Sequence, residues 1–495
     1  MENQDIKPSN PLEEPIIKNK NLSLFEAIIP ILILVAMLAF NVFVFGDDAT
    51  SGSNQFILLL GGAIAAIVGF RNKVSYEAMM EEVSNNVKST SSAVLILLMV
   101  GALSGTWLLS GVIPTMIYYG LQILHPSIFL PSCVIICAVI SIATGSSWTT
   151  SATVGIALIG IGSTIGMPLG MVAGAVVSGA YFGDKLSPLS DTTNLASAMA
   201  GTDLFTHIRY MAITTVPSII LALIIFIFLG LAQDTTASSN NDAILSAIKE
   251  TFTISPWLFL VPATVIFLIV KKTEPLIALL IGTLLGGIFA LIFQPELVAK
   301  IGGGTTLDFI SGYKGVMNAI TVETNIETSN TLLNDLFNAK GMYGMLGTIW
   351  LILCAMVFGG IMEAIGALSR ITEELLKMFN SVFGLFASTV ASCLALNITA
   401  SDQYIAIVIP GKMFAKAYKD KGLAPENLSR TLEDSGTVTS ALIPWNTCGA
   451  YQAGVLGVST LSYLPYAFFN IISPFMTLIF AAFNIKIKQL VSPIK

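Results

Sequence analysis

Long apolar runs constrain the fold of this chain more than any other feature. Runs without a charged residue cover 27–45, 217–231, 257–270, 345–362 and 462–483. A helix needs about 20 apolar residues to cross the core of a bilayer. Backbone groups in lipid must bond within the spanning element, and these continuous runs lack the alternating pattern of barrel strands. Since only 11% of the residues are charged, against about a quarter in soluble proteins, we predict an all-α integral membrane protein.

The lengths of the apolar segments give the expected number of spans. We predict about 11 to 13 transmembrane helices from these lengths. Residues 401–417, residues 447–458 and the segments on either side of Gly145 are too short to cross the bilayer. These short segments predict half-helices or re-entrant hairpins.

Lysine and arginine clusters give the predicted orientation. Clusters at 71–73, 271–272, 412–421 and 486–495 face the cytoplasm under the positive-inside rule. Residues 1–22 mix lysine with glutamate, asparagine and proline, and predict a solvated cytoplasmic tail rather than a signal peptide. The predicted divisions are this tail at 1–22, a first transmembrane half at 23–232, connecting spans with polar extracytoplasmic loops at 233–342, a second transmembrane half at 343–485 and a C-terminal tail at 486–495.

Two polar, helix-breaking segments interrupt the two halves, at 144–194 and 397–447. Each starts with a break rich in serine, threonine or asparagine. About 40 residues later, a second break adds carboxylates, hydroxyls and proline, which makes a weak internal repeat. Transporters place discontinuous helices at corresponding positions of two repeats, with the substrate near the bilayer midplane. The pair of segments therefore predicts the working site of a membrane transporter.

Carboxylates among hydroxyl and amide oxygens are the sharpest chemical signal. A charge at the bilayer centre costs about 2.5–3.5 kcal/mol even on the lenient insertion scale, so such residues usually face a polar cavity. Hard cations prefer oxygen ligands, and we expect Na+ at Asp191 and Asp402 with neighbouring hydroxyls. Glu363 is our candidate proton carrier, since removal from water favours a neutral carboxyl group. The predicted cation, proton or substrate-binding residues are Ser146, Ser147, Thr149, Asp184, Ser187, Asp191, Thr192, Asn194, Glu363, Asn397, Asp402, Glu433, Asp434, Thr437, Asn446 and Thr447.

Structural roles compete with these predictions. Asp184 could form an ion pair with the adjacent Lys185 at a helix end. Glu433 and Asp434 could cap a helix that faces water. A single serine or threonine in a membrane helix often bonds the preceding turn, so the clustering carries the prediction. Glycines that recur every four residues from Gly166 favour close helix packing.

Enzyme classes find little support in the residues. With two histidines in the chain, a zinc hydrolase of the His-Glu-x-x-His kind is excluded. Tyr181-Phe-Gly-Asp184 comes near the Gly-x-Gly-Asp motif of intramembrane aspartyl proteases, but tyrosine stands at the first glycine position and no Tyr-Asp partner exists. We therefore expect no enzymatic activity, with such a protease as a remote alternative. We also expect no cofactor and no nucleic-acid partner.

Four stretches carry a resemblance to a known family. They are Thr144-Gly-Ser-Ser-Trp-Thr-Thr, Gly183-Asp-Lys-Leu-Ser-Pro-Leu-Ser-Asp-Thr-Thr, Phe358-Gly-Gly-Ile-Met-Glu, and Glu433-Asp-Ser-Gly-Thr with Pro444-Trp-Asn. In these stretches the sequence resembles the NhaC-type sodium/proton antiporter family of the ion transporter superfamily. The likeness covers nearly the whole chain beyond the tail. It implies a bacterial inner-membrane antiporter with an inverted-repeat fold, re-entrant hairpins and often a homodimer.

The resemblance leaves the cargo open, because the family also holds malate–lactate exchangers and amino-acid carriers. Our first hypothesis is exchange of Na+ for H+ by alternating access. The alternative is Na+- and H+-coupled carriage of a small organic acid or an amino acid, whose carboxylate the amino-termini of the hairpins could hold.

Overall fold

The computed structural model describes residues 22–45, 49, 52–123, 125–233, 241–329, 334, 337–377 and 381–490. Most of the predicted N-terminal tail, residues 1–21, lies outside the described residues, as do residues 491–495 of the predicted C-terminal tail. The described chain is almost entirely helical, as expected for a polytopic membrane protein.

The first half, up to the predicted boundary at 232, contains eleven α-helices among its described residues. They are α1 Leu24–Phe45, α2 Ser53–Arg71, α3 Tyr76–Ser89, α4 Ser91–Leu109, α5 Val112–Ile123, α6 Pro126–Thr144, α7 Ser147–Thr150, α8 Ile156–Thr164, α9 Leu169–Leu186, α10 Asp191–Ala200 and α11 Leu204–Ala232. A π-helical turn, Ser151–Gly155, joins α7 to α8.

The connecting region and the second half continue the chain. The helices are α12 Asn241–Thr251, α13 Leu260–Val270, α14 Pro275–Phe293, α15 Pro295–Ile301, α16 Phe309–Thr321, α17 Gly341–Gly344, α18 Leu346–Ala364, α19 Ala367–Lys377, α20 Val382–Thr399, α21 Gln403–Asp420, α22 Pro425–Leu432, α23 Val438–Ser440, α24 Thr447–Leu456, α25 Thr460–Tyr463 and α26 Phe468–Ala482. A second π-helical turn, Glu433–Thr437, joins α22 to α23, and 3-10 turns occupy Pro256–Phe259 and Leu464–Tyr466. Two short antiparallel strands, β1 Thr324–Asn325 and β2 Asn338–Ala339, pair before α17.

Eight helices in the described residues are long and apolar enough to cross a membrane, or ten if two bent pairs are each taken as one span. The bends are 82° between Ala243–Thr251 and Pro256–Val270, and 54° between Thr460–Tyr466 and Phe468–Ala482. This number is below the 11 to 13 predicted from apolar length. The difference arises because several apolar stretches form helices too short to span, including α5, α8 and α24. In the other direction, the expectation that the segment before Gly145 is too short is wrong, because α6 is a 19-residue helix long enough to cross the membrane.

Close packing of α6 against α9 brings the first polar segment together. A side chain at Gly179 would overlap the Val134 carbonyl oxygen, and one at Gly183 would overlap that of Ala138. The two backbones therefore approach as closely as glycine permits, as small residues allow in membrane helices. As a result, the end of α6 lies beside Asp184 near the end of α9.

A short segment after α26, residues 486–490, runs over the loop between α21 and α22. We call it the C-terminal strap. Its backbone accepts a hydrogen bond from Ala424 at 3.0 Å and donates one to Gly422 at 2.7 Å. The Tyr210 hydroxyl lies 2.6 Å from the Lys486 carbonyl oxygen, and Lys488 pairs with Glu426 at 2.5 Å. The strap thus holds α22 and α11 together at one end of the molecule.

Candidate functional site

The two polar segments meet at one cavity of about 390 Å³. Its walls come from both polar segments and from two further places, the junction of α3 with α4 and the loop between α13 and α14. Eight of the sixteen predicted site residues line it. These are Ser146, Ser147, Thr149, Asp184, Asp191, Thr192, Asp402 and Thr447.

The first break in each half is built in the same way. At the end of α6, Gly145 adopts a left-handed conformation with φ of 69°, and Ser146 then accepts a hydrogen bond from the Thr149 N–H at 3.2 Å. After α20, Ser401 takes φ of 60°, and Asp402 accepts the Tyr404 N–H at 2.8 Å. A left-handed residue ends a helix, and a capping side chain starts the next one. Glycine suits that conformation, whereas serine adopts it with strain.

The second break in each half also ends in a capping residue. Ser190 accepts the Thr193 N–H at 3.4 Å at the start of α10, and Asn446 accepts the Cys448 N–H at 3.0 Å at the start of α24. The first residue of each of the four helices lines the cavity. These residues are Ser147 of α7, Asp191 of α10, Gln403 of α21 and Thr447 of α24. Four helix amino-termini therefore meet at the site.

Carboxylates of the protein itself occupy two of these amino-termini. The N–H and the hydroxyl of Ser147 donate to Oδ2 of Asp184 at 3.1 and 2.7 Å. Oδ1 of Asp402 accepts a second N–H, that of Ile405, at 3.1 Å. Both carboxylates are buried, while Asp191 is exposed toward the opening. The positive ends of the helices thus hold negative side chains, and each carboxylate keeps lone pairs for a further partner.

Lys185 pairs with a partner far away in the chain rather than with its neighbour Asp184. Its Nζ lies 2.5 Å from Oδ1 of Asp434, and both side chains are fully buried. Ser473 and Thr214 also contact the Asp434 carboxylate, at 3.2 and 2.8 Å. The Asp184–Lys185 ion pair weighed from sequence is therefore wrong.

Glu433 also lies away from water. Both Glu433 and Asp434 have no exposed surface, within a π-helical turn that follows α22 directly. Neither of them is the cap of a helix that faces water, so that alternative is wrong as well. A π-helical turn often marks a functional position in a helix.

The remaining predicted residues lie outside the cavity lining and serve other contacts. Asn397 donates to the Gly436 carbonyl oxygen at 2.7 Å, and Asn446 donates to the Asn397 carbonyl oxygen at 3.0 Å, so these amides join the two breaks of the second half. Asn194 donates to the Ser190 carbonyl oxygen of its own turn at 2.7 Å. The other predicted residues outside the lining are Ser187, Glu363, Glu433, Asp434 and Thr437.

Sequence reasoning missed several residues of the lining. Trp148 lines the cavity and stacks on Tyr451 with ring centroids 4.0 Å apart. Thr90 comes from the junction of α3 and α4, and Lys272 and Glu274 come from the loop after α13. The polar run from Ser89 to Ser92 could have indicated another polar break between helices. Lys272 was used only to predict the orientation of the chain in the membrane. The expected Na+ ligands Asp191 and Asp402 do line one cavity, and their role as ligands stays a prediction.

Comparison with known proteins gives a consistent result. Residues 179–485 match the model of the Na+/H+ antiporter family. The Na+/H+ antiporter NhaC of Alkalihalophilus pseudofirmus is 37% identical over 85% of this chain and 88% of its own length. The malate-2H+/Na+-lactate antiporter of Bacillus subtilis is 37% identical over 92% of this chain and 94% of its own. The arginine/ornithine antiporter ArcD of Halobacterium salinarum is 35% identical over 93% and 92%.

Proposed function

This chain belongs to the Na+/H+ antiporter family, and we propose that it exchanges sodium ions for protons across the bacterial inner membrane by alternating access. The observation that carries the proposal is the convergence of Asp184, Asp191 and Asp402 on one cavity. The helix N–H groups that would bind an anion already bind the protein's own oxygens. Carboxylate oxygens are ligands for a hard cation and acceptors of a proton. The site therefore has the chemistry to take up either ion.

We place the opening of the cavity on the cytoplasmic side. Lys272 lines the cavity, and the positive-inside rule assigns its loop to the cytoplasm. With the cavity open to the cytoplasm, a cytoplasmic ion reaches Asp191 first, because Asp191 is exposed while Asp184 and Asp402 are buried. The same rule places the N-terminus in the cytoplasm. A homodimer stays a prediction.

The test is transport by the purified protein in liposomes that enclose a pH-sensitive dye. A sodium gradient should drive a change of internal pH that potassium or choline does not. Asp402→Asn should abolish most of this change, since it removes a charge that faces the cation. Asp420→Asn is the matched control, because this exposed carboxylate ends the same helix that Asp402 begins. If the wild-type protein moves no protons in response to sodium, the proposal is refuted.

The size of the cavity favours a second candidate, which is sodium- and proton-coupled carriage of a small organic acid or an amino acid. One water occupies about 30 Å³ of liquid, so about 390 Å³ exceeds what a sodium ion needs. The relatives named as malate–lactate and arginine/ornithine antiporters fit this candidate. A thermal-shift screen with malate, lactate and the common amino acids separates the two functions. Stabilisation by one of these compounds, dependent on sodium, would favour carriage, and no shift with any of them would count against it.

A further inference from the structure

A buried cluster of charged side chains lies behind the cavity. Lys185 and Asp434 form an ion pair without exposed surface. The carboxyl group of Glu433 is equally buried, and neither of its oxygens has a hydrogen-bond partner among the described residues. Arg430, on the preceding turn, is buried as well, but its guanidinium group lies over the Tyr210 ring, 4.7 Å from the centroid, and makes no hydrogen bond among the described residues. Within the part of the chain that the structure describes, the carboxyl group of Glu433 thus has neither a hydrogen-bond donor nor an ion-pair partner of its own. An ionised carboxylate without a partner costs several kcal/mol or more in such a place, so the group takes up a proton instead.

The hydrogen bonds show which of the two acids is neutral. The Asp434 carboxylate accepts hydrogen bonds from the Lys185 ammonium group and from the hydroxyls of Ser473 and Thr214. These donors suit an ionised carboxylate. Glu433 has no comparable donor within hydrogen-bonding distance. Of the two acids, Glu433 is therefore the one that holds a proton.

The surroundings of Glu433 connect it to the cation cavity. The charged groups of other elements that act on it are Lys185 and Asp184 of α9. Asp434 adjoins it in the same turn, the buried Arg430 lies one turn earlier, and His207 of α11 lies within reach of the Lys185 charge. The Thr192 hydroxyl approaches Glu433, and Thr192 also lines the cavity. The end of α9 separates the two sites, since Asp184 faces the cavity while Lys185 faces the cluster. A positive ion beside Asp184 would therefore stabilise a negative charge on Glu433.

We propose that Glu433, in a buried cluster with Lys185 and Asp434, carries the proton that is exchanged for the cation in the cavity. This inference rests on the proposed sodium/proton exchange. When the cation enters, the O–H bond of Glu433 breaks and its proton passes to water in the cavity. The resulting carboxylate is balanced by Lys185 and by the cation beside Asp184. When the cation leaves, a proton from water returns to Glu433.

Sodium binding and proton release, measured in the purified protein, test the proposal. Sodium added to a weakly buffered solution should release protons from the wild-type protein, and the apparent sodium affinity should rise about tenfold per pH unit where one proton leaves per ion. Glu433→Gln mimics the neutral acid. It should still bind sodium, followed by fluorescence of Trp148 in the cavity wall, but release no protons and show an affinity independent of pH. Glu296→Gln, the same change at an exposed position of α15, should behave as wild type.

The outcomes distinguish this inference from the proposed function. If the wild-type protein shows no sodium-driven proton movement, the proposed exchange fails and the inference falls with it. If the wild-type protein exchanges and Glu433→Gln keeps both proton release and the pH dependence, the inference alone is overturned. Should the glutamine variant fail to fold, Glu433→Asp retains an acid and should keep the pH dependence. Loss of that dependence in a folded, sodium-binding aspartate variant would also overturn the inference.

Discussion

Removal of either partner of the Lys185–Asp434 pair should destabilise the protein strongly and unequally. Removal of one partner of a buried ion pair lowers the free energy of unfolding by about 3–5 kcal/mol, because the other charge is left without compensation. Lys185→Met leaves the Asp434 carboxylate with the hydroxyls of Ser473 and Thr214, so we expect a cost of about 3 kcal/mol, at the lower end. Asp434→Leu leaves the ammonium with Ser473 at 3.2 Å, and we expect about 5 kcal/mol.

The double variant, Lys185→Met with Asp434→Leu, should be more stable than either single variant. It removes both charges, and well-packed apolar residues can replace a buried ion pair without loss. Thr214 keeps its bond to the Met211 carbonyl oxygen at 3.1 Å. Ser473 loses both partners, so we expect a remaining cost of about 1–3 kcal/mol.

Unfolding by sodium dodecyl sulfate in mixed micelles, followed by circular dichroism, measures these differences. Lys377→Met is the control, because Lys377 pairs with Glu373 at the surface and is 55% exposed. Such surface pairs contribute about 0–1 kcal/mol, so this variant should unfold close to wild type. If the double variant loses as much stability as the two single variants together, the buried pair does not stabilise the fold as argued.

Three further predictions concern other parts of the molecule. Gly105→Ala should lower the free energy of unfolding by about 1–3 kcal/mol, since the added Cβ would overlap a carbonyl oxygen of α16. Gly347→Ala is the control and should be neutral, because a Cβ added there would meet no atom within 4 Å. Tyr210→Phe should cost about 1 kcal/mol by losing its bonds to the C-terminal strap, and proteases should cut the strap faster; an unchanged cleavage rate would contradict this. The Ser311 N–H holds the pKa of Asp308 below its usual range. This cap should therefore stabilise α16 at neutral pH, and the stabilisation should be lost as the pH falls through the lowered pKa. Amide hydrogen exchange in α16 should accelerate in that pH range, and Asp308→Ala should abolish this pH-dependent acceleration.

Local chemistry made much of the site predictable. Gly145 followed by Ser146, and Asp402 before a new apolar run, are signals that end one helix and cap the next. They depend on neighbouring residues alone, so the sequence is sufficient to locate these breaks. The apolar runs likewise predict an all-helical membrane protein, because the bilayer imposes that structure on any such run.

Tertiary pairing was not predictable in the same way. Lys185 and Asp434 are 249 positions apart, and no spacing rule joins them. Adjacency therefore suggested Asp184 as the partner of Lys185, although successive helical residues point in different directions. Glu274 was missed for a similar reason, since its place in the lining depends on how α14 packs against the first half.

The C-terminal strap has a practical consequence for anyone who engineers this protein. Glu426, which the strap holds through Lys488, precedes Glu433 by about two helical turns. A purification tag or fluorescent protein fused after the strap is therefore attached close to a contact with α22, the helix that leads directly into the turn bearing Glu433. Fusions intended to report on transport are better introduced at another exposed loop. Variants shortened to residue 485 should be compared with the full chain before their transport kinetics are interpreted.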